Sequence, residues 1–442
     1  MTKLTFRNIV LIWLAWAVIV IGFQAVATAR LQPVFPDRSQ PWTTEDTNPK
    51  TYQKGRPFLV DPFMNNQVAW DSEYYLGIAI GGYDDPRIPH ITPNGMTTFE
   101  NNSMMIDNRP YVDTGDSVSL AYAFFPFYPW MIALFAVPLS VFGLNATATA
   151  TLAGVIVSAL GTLMGMLALY DLTRDTLDED GAMRAAFYLL IFPTGFFLIQ
   201  VYTEGLFIGL AFGCLALLRR GGWYWIPAGL LGAAATLTRA VGVALIIPMA
   251  ITWFRTGDWL DIDMEWRQIY HWFRAPNRKT LISFGKMILA FSPLIAFLIW
   301  KFSRLGLTFD FVETAFFGRG FLDFGSAFFN WATAAKSMFA NIPETTAYFL
   351  TEFLGLGIGI VTCIACIRRK PEIAWFSLAV LIISWGSGPA QGILRYILAA
   401  PAVFYMLAYW GKNPVFDRAW TILSAMLMGL LAALFAFNFW VA

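Results

Sequence analysis

The tract from Trp70 to Tyr83 combines residue types that could do chemistry at a membrane surface. Asp71 stands directly beside Trp70, and Tyr74 and Tyr75 follow within a few residues. Tryptophan and tyrosine concentrate at membrane–water interfaces, the depth at which a lipid-linked substrate presents its head group. A carboxylate at that depth is suited to general-base catalysis. The alternative is an interfacial helix anchored by its aromatic rings, with Asp71 as a solvated surface charge.

The composition indicates a polytopic membrane protein. Hydrophobic residues make up 57% of the chain and charged residues 13%, whereas about a quarter of the residues of a soluble domain are charged. Long uncharged runs recur, including 117–170, 373–394 and 419–442, and a membrane-spanning helix needs about 20 mainly apolar residues. The first run, 8–29, lacks a small-residue cleavage pattern, so we expect it to be retained as a span. The net charge of +1 indicates no nucleic-acid partner.

Residues that commonly bind metals or form disulfides are scarce. The three cysteines, Cys214, Cys363 and Cys366, are interpreted as packing thiols. The two histidines, His90 and His271, are expected in loops on opposite sides of the membrane. We therefore predict no metal site and no cofactor.

Basic residues predict the orientation in the membrane. Lys3 and Arg7 flank the first run, so the positive-inside rule places the N-terminus in the cytoplasm. The loop 30–120 is then exocytoplasmic, while the linker 255–286 and the basic cluster 368–370 are cytoplasmic.

The middle of the chain allows two interpretations, each with about eleven spans. In the first, 122–143 forms a full span, 221–254 is one long helix, and Arg239 lies within the membrane. In the second, 122–143 stays at the interface, so that Arg220 is cytoplasmic and Glu204 is outside. Residues 221–254 then form two short spans with Arg239 at the outer turn between them. We prefer the second, because it avoids a charge at the bilayer centre.

Five blocks of chemically distinctive residues follow one another along the chain. They are Trp70-Asp71 with Tyr75-Leu76-x-Ile78-Ala79-x-x-Gly82-Tyr83; Phe124-Phe125-Pro126-x-Tyr128-Pro129; Phe192-Pro193-x-x-Phe196-Phe197 with Tyr202-Thr203-Glu204; Thr238-Arg239-Ala240-Val241-Gly242; and Arg395-Tyr396. The ordered set resembles the motifs of the PIG-V-type mannosyltransferases. Two positions depart from the family, which has serine where this chain has Phe192 and Thr203.

The resemblance implies the GT-C fold, an all-α polytopic membrane architecture forming one domain over 1–442. The first exocytoplasmic loop, 30–120, would carry the catalytic motif, and 304–344 would form a second exocytoplasmic loop. The implied activity is transfer of a sugar, typically mannose, from a polyprenyl (dolichyl-type) phosphate donor. The acceptor would be a hydroxyl of a glycan or glycolipid at the outer face of the plasma membrane or the lumenal face of the endoplasmic reticulum.

Such a transfer needs a base for the acceptor and cations for the phosphate. Asp71 is the predicted base, and Arg395, supported by Arg239, is predicted to hold the donor phosphate through its bidentate fork. The turn 386–392 before Arg395 offers backbone N–H groups that could approach a phosphate. A single base without a covalent intermediate implies inversion at the anomeric carbon. The residues expected to contact substrate are Trp70, Tyr75, Tyr128, Tyr202, Glu204 and Tyr396.

Other carboxylates and other functions compete with this hypothesis. Glu73 would lie about 200° from Asp71 on a helix, so it is interpreted as a solvated residue, and Glu45-Asp46 is a rival base. A transporter or a lipid-linked sugar flippase is the alternative function, but it would favour mid-span charges and a two-fold repeat. A structural membrane subunit would explain neither the large first loop nor charges confined to one side.

Overall fold

The computed structural model describes residues 1–33, 36–48, 56–91, 97–98, 117–256 and 278–442. The helices before residue 257 are Lys3–Arg30 (α1), Thr43–Asp46 (α2), Ser72–Gly81 (α3), Phe127–Leu139 (α4), Ala146–Ile191 (α5), Thr203–Leu218 (α6), Trp225–Thr238 (α7) and Ile246–Arg255 (α8). Those after residue 277 are Arg278–Ala290 (α9), Ser292–Lys301 (α10), Phe309–Ala315 (α11), Phe324–Ser337 (α12), Pro343–Ile367 (α13), Pro371–Trp385 (α14), Ile393–Tyr396 (α15), Pro401–Trp410 (α16) and Pro414–Ala436 (α17). A small antiparallel sheet of order β2-β1-β3 joins His90–Ile91 (β1), Thr97–Thr98 (β2) and Val118–Ser119 (β3).

Several helices are long and apolar enough to cross a membrane. Among the residues that the structure describes, four helices meet that condition alone, namely α1, α5, α13 and α17, and there are up to six if two bent helix pairs each count as one broken span. The bent pairs are α9 with α10, at 52°, and the 393–399 segment with α16, at 85°. The predicted class, an all-α polytopic membrane protein, is confirmed, whereas the count of about eleven spans stays a prediction.

Small residues let α5 and α6 pack closely enough to fix the start of α6. A Cβ on Gly205 would lie 2.3 Å from the carbonyl oxygen of Ser158, so no larger residue fits there without displacing the helices. The Ser158 hydroxyl also donates to the carbonyl oxygen of Tyr202 at 2.9 Å. The first turn of α6, which carries Glu204, is therefore held rigidly against α5.

The apolar stretch 221–254 is broken at Arg239. Helix α7 ends at Thr238, Arg239 is extended, and a 3-10 helix over Ala240–Leu245 leads into α8. A Cβ on Gly242 would lie 2.5 Å from the backbone nitrogen of Thr236, so this tight reversal requires glycine. The single long helix of the first interpretation is wrong, and the division at Arg239 agrees with the second.

Helix α4 is also short. Its 13 residues extend about 20 Å, compared with the roughly 30 Å of a hydrocarbon core. It starts at Phe127, and Pro129 stands in its first turn, where proline is tolerated. Helices α6 and α7, with 16 and 14 residues, are similarly short, so whether 122–143 crosses the membrane stays a prediction.

Charged side chains form two groups at opposite ends of α6. Beyond its last residue, Arg219 pairs with Asp175 at 2.9 Å, and Lys370 pairs with the same carboxylate at 2.6 Å. At its first turn, Glu204 joins a second group that includes Arg239 and Arg395. The segment between the two groups is about 24 Å long. The basic cluster 368–370, which is predicted to be cytoplasmic, thus lies at the same end of α6 as Arg219. Glu204 lies at the opposite end of this helix.

This arrangement predicts the labelling of cysteines placed at the two ends. Arg220→Cys should resist a membrane-impermeant thiol reagent in intact cells, because Arg220 belongs to the predicted cytoplasmic group. Val60→Cys, at a residue 46% exposed in the first loop, is the control that should react. The three native cysteines are buried, which keeps the background low. Reaction of Arg220→Cys with the reagent in intact cells would instead support the first interpretation, in which 122–143 crosses the membrane.

Candidate active site

Asp71 is held at the start of α3 by a strained backbone and a buried phenol. The preceding residue, Trp70, has a φ of 51°, in the left-handed region that non-glycine residues rarely adopt. The backbone N–H of Asp71 donates to the Tyr202 hydroxyl at 3.2 Å, and that hydroxyl donates to the carbonyl oxygen of Ala69 at 3.1 Å. The orientation of Asp71 is therefore fixed by residues on both sides of it.

Arg395 connects Asp71 to Glu204. Its Nη1 lies 3.0 Å from Asp71 Oδ2, and its Nε lies 3.3 Å from Glu204 Oε1. Arg239 pairs with the same Glu204 oxygen and also donates to Thr203 Oγ1 at 3.2 Å. Residues from four of the five sequence blocks therefore meet in one charged network.

The network differs in exposure from one member to the next. The side chains of Arg395 and Glu204 are only 5% and 3% exposed, whereas that of Asp71 is 21% exposed. The two buried charges would be costly alone, and their mutual pairing offsets that cost. Asp71 is the carboxylate of this group that a substrate can reach.

Glu352, which the sequence analysis did not select, positions the turn before Arg395. Its carboxylate accepts hydrogen bonds from the backbone N–H groups of Gly392 at 3.1 Å and Ile393 at 2.7 Å. Gly392 has a φ of 76°, which glycine adopts without strain. These two N–H groups are thus occupied by Glu352, so Gly392 does not direct its N–H at a phosphate, and the approach of a phosphate to the rest of the turn 386–392 stays a prediction. The available sequence signal was a carboxylate placed beyond the first turn of the apolar helix α13.

A cavity of about 410 Å³ opens beside Asp71. Its charged lining residues are Asp71, Arg239, Lys301, Asp310, Glu313, Arg319 and Arg395. Its apolar lining includes Phe124, Phe125, Val241, Phe297, Phe309, Phe321, Leu322 and Ile383. The cavity is therefore amphipathic, with a charged part and an apolar part in one space.

The segment from Lys301 to Leu322, most of which belongs to the predicted exocytoplasmic loop 304–344, supplies two further cations to the cavity wall. Lys301 pairs with Asp310, and Arg319 Nη1 donates to the Tyr396 hydroxyl at 3.0 Å. Burial raises the pKa of Glu313 to about 7. In the sequence, these residues were distinguished only as charged residues within an otherwise apolar stretch.

The aromatic residues expected at the substrate divide into two groups. Tyr75 and Tyr396 line the cavity. Tyr128 is fully buried, and its hydroxyl is hydrogen-bonded to Ser158 at 2.9 Å. Tyr202 is buried against Asp71, as described above. Neither Tyr128 nor Tyr202 lines the cavity, so their contact with substrate stays a prediction.

Trp70 and Glu204 are also absent from the lining of the cavity. Trp70 packs edge to face against Trp42 and Trp440, with ring centroids 5.6 and 5.2 Å away. Its indole N–H donates to the carbonyl oxygen of Phe439 at 3.3 Å. Glu204 lies behind the two arginines that it pairs with. Both residues support the site from outside the cavity.

The first-loop carboxylates that compete with Asp71 have other surroundings. Glu73 is 8% exposed, so its interpretation as a solvated residue is wrong, and burial raises its pKa to about 7. Asp46 pairs with Arg56 at 2.6 Å. Neither Glu73 nor Asp46 lines the cavity.

Metal ligands are not grouped in the part of the chain that the structure describes. No cluster of three histidine, cysteine or acidic side chains there could hold an ion. The three cysteines are buried. His271 and most of the linker 255–286 lie outside the described residues.

The fold and the site together define a mainly α-helical polytopic membrane protein in which the described residues form an amphipathic, charge-lined cavity beside Asp71. No family model matches the chain, and no curated protein matches it. Among solved structures it is similar to ArnT from Cupriavidus metallidurans bound to undecaprenyl phosphate, with 15% identity, a TM-score of 0.41, and coverage of 72% of this chain and 63% of that chain.

Two further similar structures come from Archaeoglobus fulgidus. The oligosaccharyltransferase in complex with Zn and sulfate has 14% identity and a TM-score of 0.45, covering 96% of this chain and 53% of that chain. The oligosaccharyltransferase AglB with an inhibitory peptide and a dolichol-phosphate has 14% identity and a TM-score of 0.42, covering 97% and 56%. This chain matches less than two thirds of the length of these proteins. With TM-scores below 0.5, the likenesses carry no argument about activity.

Proposed function

We propose that this chain is a GT-C-type glycosyltransferase that uses a polyprenyl-phosphate sugar as donor. The observation that carries the proposal is the meeting of Asp71, Arg239, Arg395 and Tyr396 around one cavity that also has an apolar wall. These residues come from separate blocks of the sequence, and the same blocks resemble the PIG-V-type mannosyltransferases. We therefore propose mannose as the donor sugar and a glycan or glycolipid hydroxyl as the acceptor.

The cavity matches the chemical parts of such a donor. A polyprenyl-phosphate sugar has an apolar chain, an anionic phosphodiester and a polar sugar, and the cavity offers apolar, cationic and hydrogen-bonding walls. Arginine binds phosphate through paired N–H groups, and the tyrosine rings of Tyr75 and Tyr396 can pack against the sugar.

Asp71 is the proposed general base. It lines the cavity, and its Oδ2 is fixed by Arg395, so a carboxylate of defined orientation faces the acceptor hydroxyl. As the hydroxyl oxygen bonds to the anomeric carbon, Asp71 takes its proton and the bond to the phosphate oxygen breaks. A single displacement of this kind inverts the anomeric centre. The cationic side chains, with Arg395 and Arg239 among them, stabilise the charge that develops on the departing phosphate.

The decisive experiment gives the purified protein radiolabelled polyprenyl-phosphate mannose and polyprenyl-phosphate glucose in separate reactions. Release or transfer of labelled mannose, abolished by Asp71→Asn, is the expected result. The alternative function, a lipid-linked sugar flippase, predicts movement of intact donor across proteoliposomes with no chemical change. Intact donor in every reaction, with a folded protein and acceptor lipids present, would reject the transferase.

A further inference from the structure

The cations of the cavity differ in how far their charge is already compensated. Arg395 contacts Asp71 and Glu204, Arg239 contacts Glu204, and Lys301 contacts Asp310. Within the part of the chain that the structure describes, Arg319 has no carboxylate oxygen within ion-pair distance. Its Nη1 instead donates to a neutral group, the Tyr396 hydroxyl, at 3.0 Å. Arg319 is therefore the cation of this wall whose charge is available to a substrate.

We propose that Arg319 is the residue that binds the donor phosphate directly. The proposal rests on the proposed function, because it takes a polyprenyl-phosphate sugar as the ligand. A phosphodiester carries one negative charge, which matches a guanidinium of the wall that makes no ion pair with any described residue and that Glu313 influences only from beyond ion-pair distance. Its oxygens can accept two parallel N–H bonds from the planar guanidinium, whereas a phenol oxygen accepts less strongly from the same group.

The backbone around Arg319 is held firmly enough to aim the side chain. The Arg319 N–H donates to the carbonyl oxygen of Glu313 at 2.9 Å, and the Gly320 N–H donates to that of Ser387 at 2.8 Å. Gly318 has a φ of 61°, a conformation that suits glycine at a tight turn. A pre-positioned side chain loses less conformational entropy when it binds a ligand.

The neighbours of Arg319 also suit a phosphate that is joined to a prenyl chain. Phe321 and Leu322 lie two and three positions after Arg319 in the chain and line the same cavity. The Phe321 ring is stacked on that of Phe297, with centroids 6.0 Å apart. A donor phosphate bound at Arg319 would therefore lie next to an apolar wall, against which the polyprenyl chain of the same donor can pack.

Arg395 is less suited to direct contact with the phosphate. Its side chain is 5% exposed and lies between two carboxylates, so a phosphate would have to displace one of them. In this assignment Arg395 mainly orients Asp71, and its positive charge acts on the phosphate at longer range. Arg239, paired with Glu204 and placed over the Tyr396 ring at 4.7 Å, is engaged in a similar way.

Binding of undecaprenyl phosphate and of uncharged undecaprenol to purified protein in nanodiscs tests the proposal. Arg319→Gln should weaken binding of undecaprenyl phosphate by about tenfold or more, and undecaprenol should bind equally to both proteins. Arg304→Gln is the matched control, since Arg304 is an exposed arginine of the same segment outside the cavity lining. It should change neither affinity by more than about twofold.

A charge-rescue variant separates the loss of charge from damage to the fold. Arg319→Cys places a reactive thiol in the cavity, while the three native cysteines are buried. Modification with a thiol reagent that adds an aminoethyl group should restore part of the affinity for undecaprenyl phosphate. A reagent that adds a sulfonatoethyl group should lower it further.

The outcomes distinguish this assignment from the proposed function. If the wild type prefers undecaprenyl phosphate to undecaprenol and Arg319→Gln keeps that preference, Arg319 is not the phosphate ligand, although the transferase proposal stands. Equal effects of the two thiol reagents on Arg319→Cys would also overturn the assignment. If the wild type shows no preference for the phosphate, both the assignment and the donor class are rejected.

Discussion

Asp71→Asn is expected to reduce sugar transfer by about 100-fold or more. Asparagine keeps the shape of the side chain and can still accept a hydrogen bond from Arg395, but it cannot take the proton of an acceptor hydroxyl. The affinity for undecaprenyl phosphate should stay within about twofold, because Asp71 carries no positive charge for the phosphate. Turnover and donor affinity are measured on the same preparation, so that a loss of chemistry is separated from a loss of binding.

Glu45→Gln is the matched control for this variant. Glu45 is an exposed carboxylate of the same loop and belonged to the rival base predicted from the sequence. It should retain full activity, since it does not line the cavity. Near-normal turnover of Asp71→Asn, or a comparable loss in Glu45→Gln, would remove Asp71 from the role of base.

The sequence was sufficient to predict the class of the protein and the break at Arg239. A run of about 20 apolar residues indicates a membrane helix whatever it packs against, so the class could be predicted without knowledge of tertiary contacts. The cost of a charge at the bilayer centre likewise predicted that 221–254 would not be one helix. The structure agrees, because Arg239 separates α7 from the 3-10 helix before α8.

The contacts within the site were less predictable. Asp71 and Arg395 are far apart in the sequence, and only the resemblance of their blocks indicated that they act together. The pairing of Arg395 with two carboxylates depends on side-chain directions that no spacing reveals. For the same reason Tyr128 was expected at the substrate, although its hydroxyl bonds to Ser158 in the core.

Buried polar residues were the main source of error. Glu73 follows Asp71 by two positions, and helical geometry correctly separated the two side chains. Helical geometry did not reveal that other parts of the chain pack against the opposite face of α3, so that Glu73 is only 8% exposed. Glu352 was missed because its partners, the N–H groups of Gly392 and Ile393, lie about 40 residues further along the chain, where α15 begins. Burial of this kind is created by tertiary packing.

Arg395→Ala is expected to destabilise the protein strongly. It removes the partner that Asp71 and the nearly inaccessible Glu204 share. Breaking a buried ion pair by removing one member costs about 3–5 kcal/mol, because the remaining charge is left uncompensated. Arg239 still pairs with Glu204, so the larger part of the loss should come from Asp71. Arg368→Ala, at an exposed arginine of the opposite end, should change stability by no more than about 0.5 kcal/mol.

A double variant tests whether the loss comes from the unpaired carboxylate. Asp71→Asn added to Arg395→Ala removes the charge that Arg395 compensated, so the double variant should be more stable than Arg395→Ala alone. Arg395→Lys should be intermediate, because lysine keeps the charge but cannot reach both carboxylates with a planar fork. Free energies of unfolding in detergent, compared as a double-mutant cycle, measure the coupling between the two residues. Additive effects of the two substitutions would show that Arg395 and Asp71 do not stabilise each other, and the positioning role of Arg395 would then have to be abandoned.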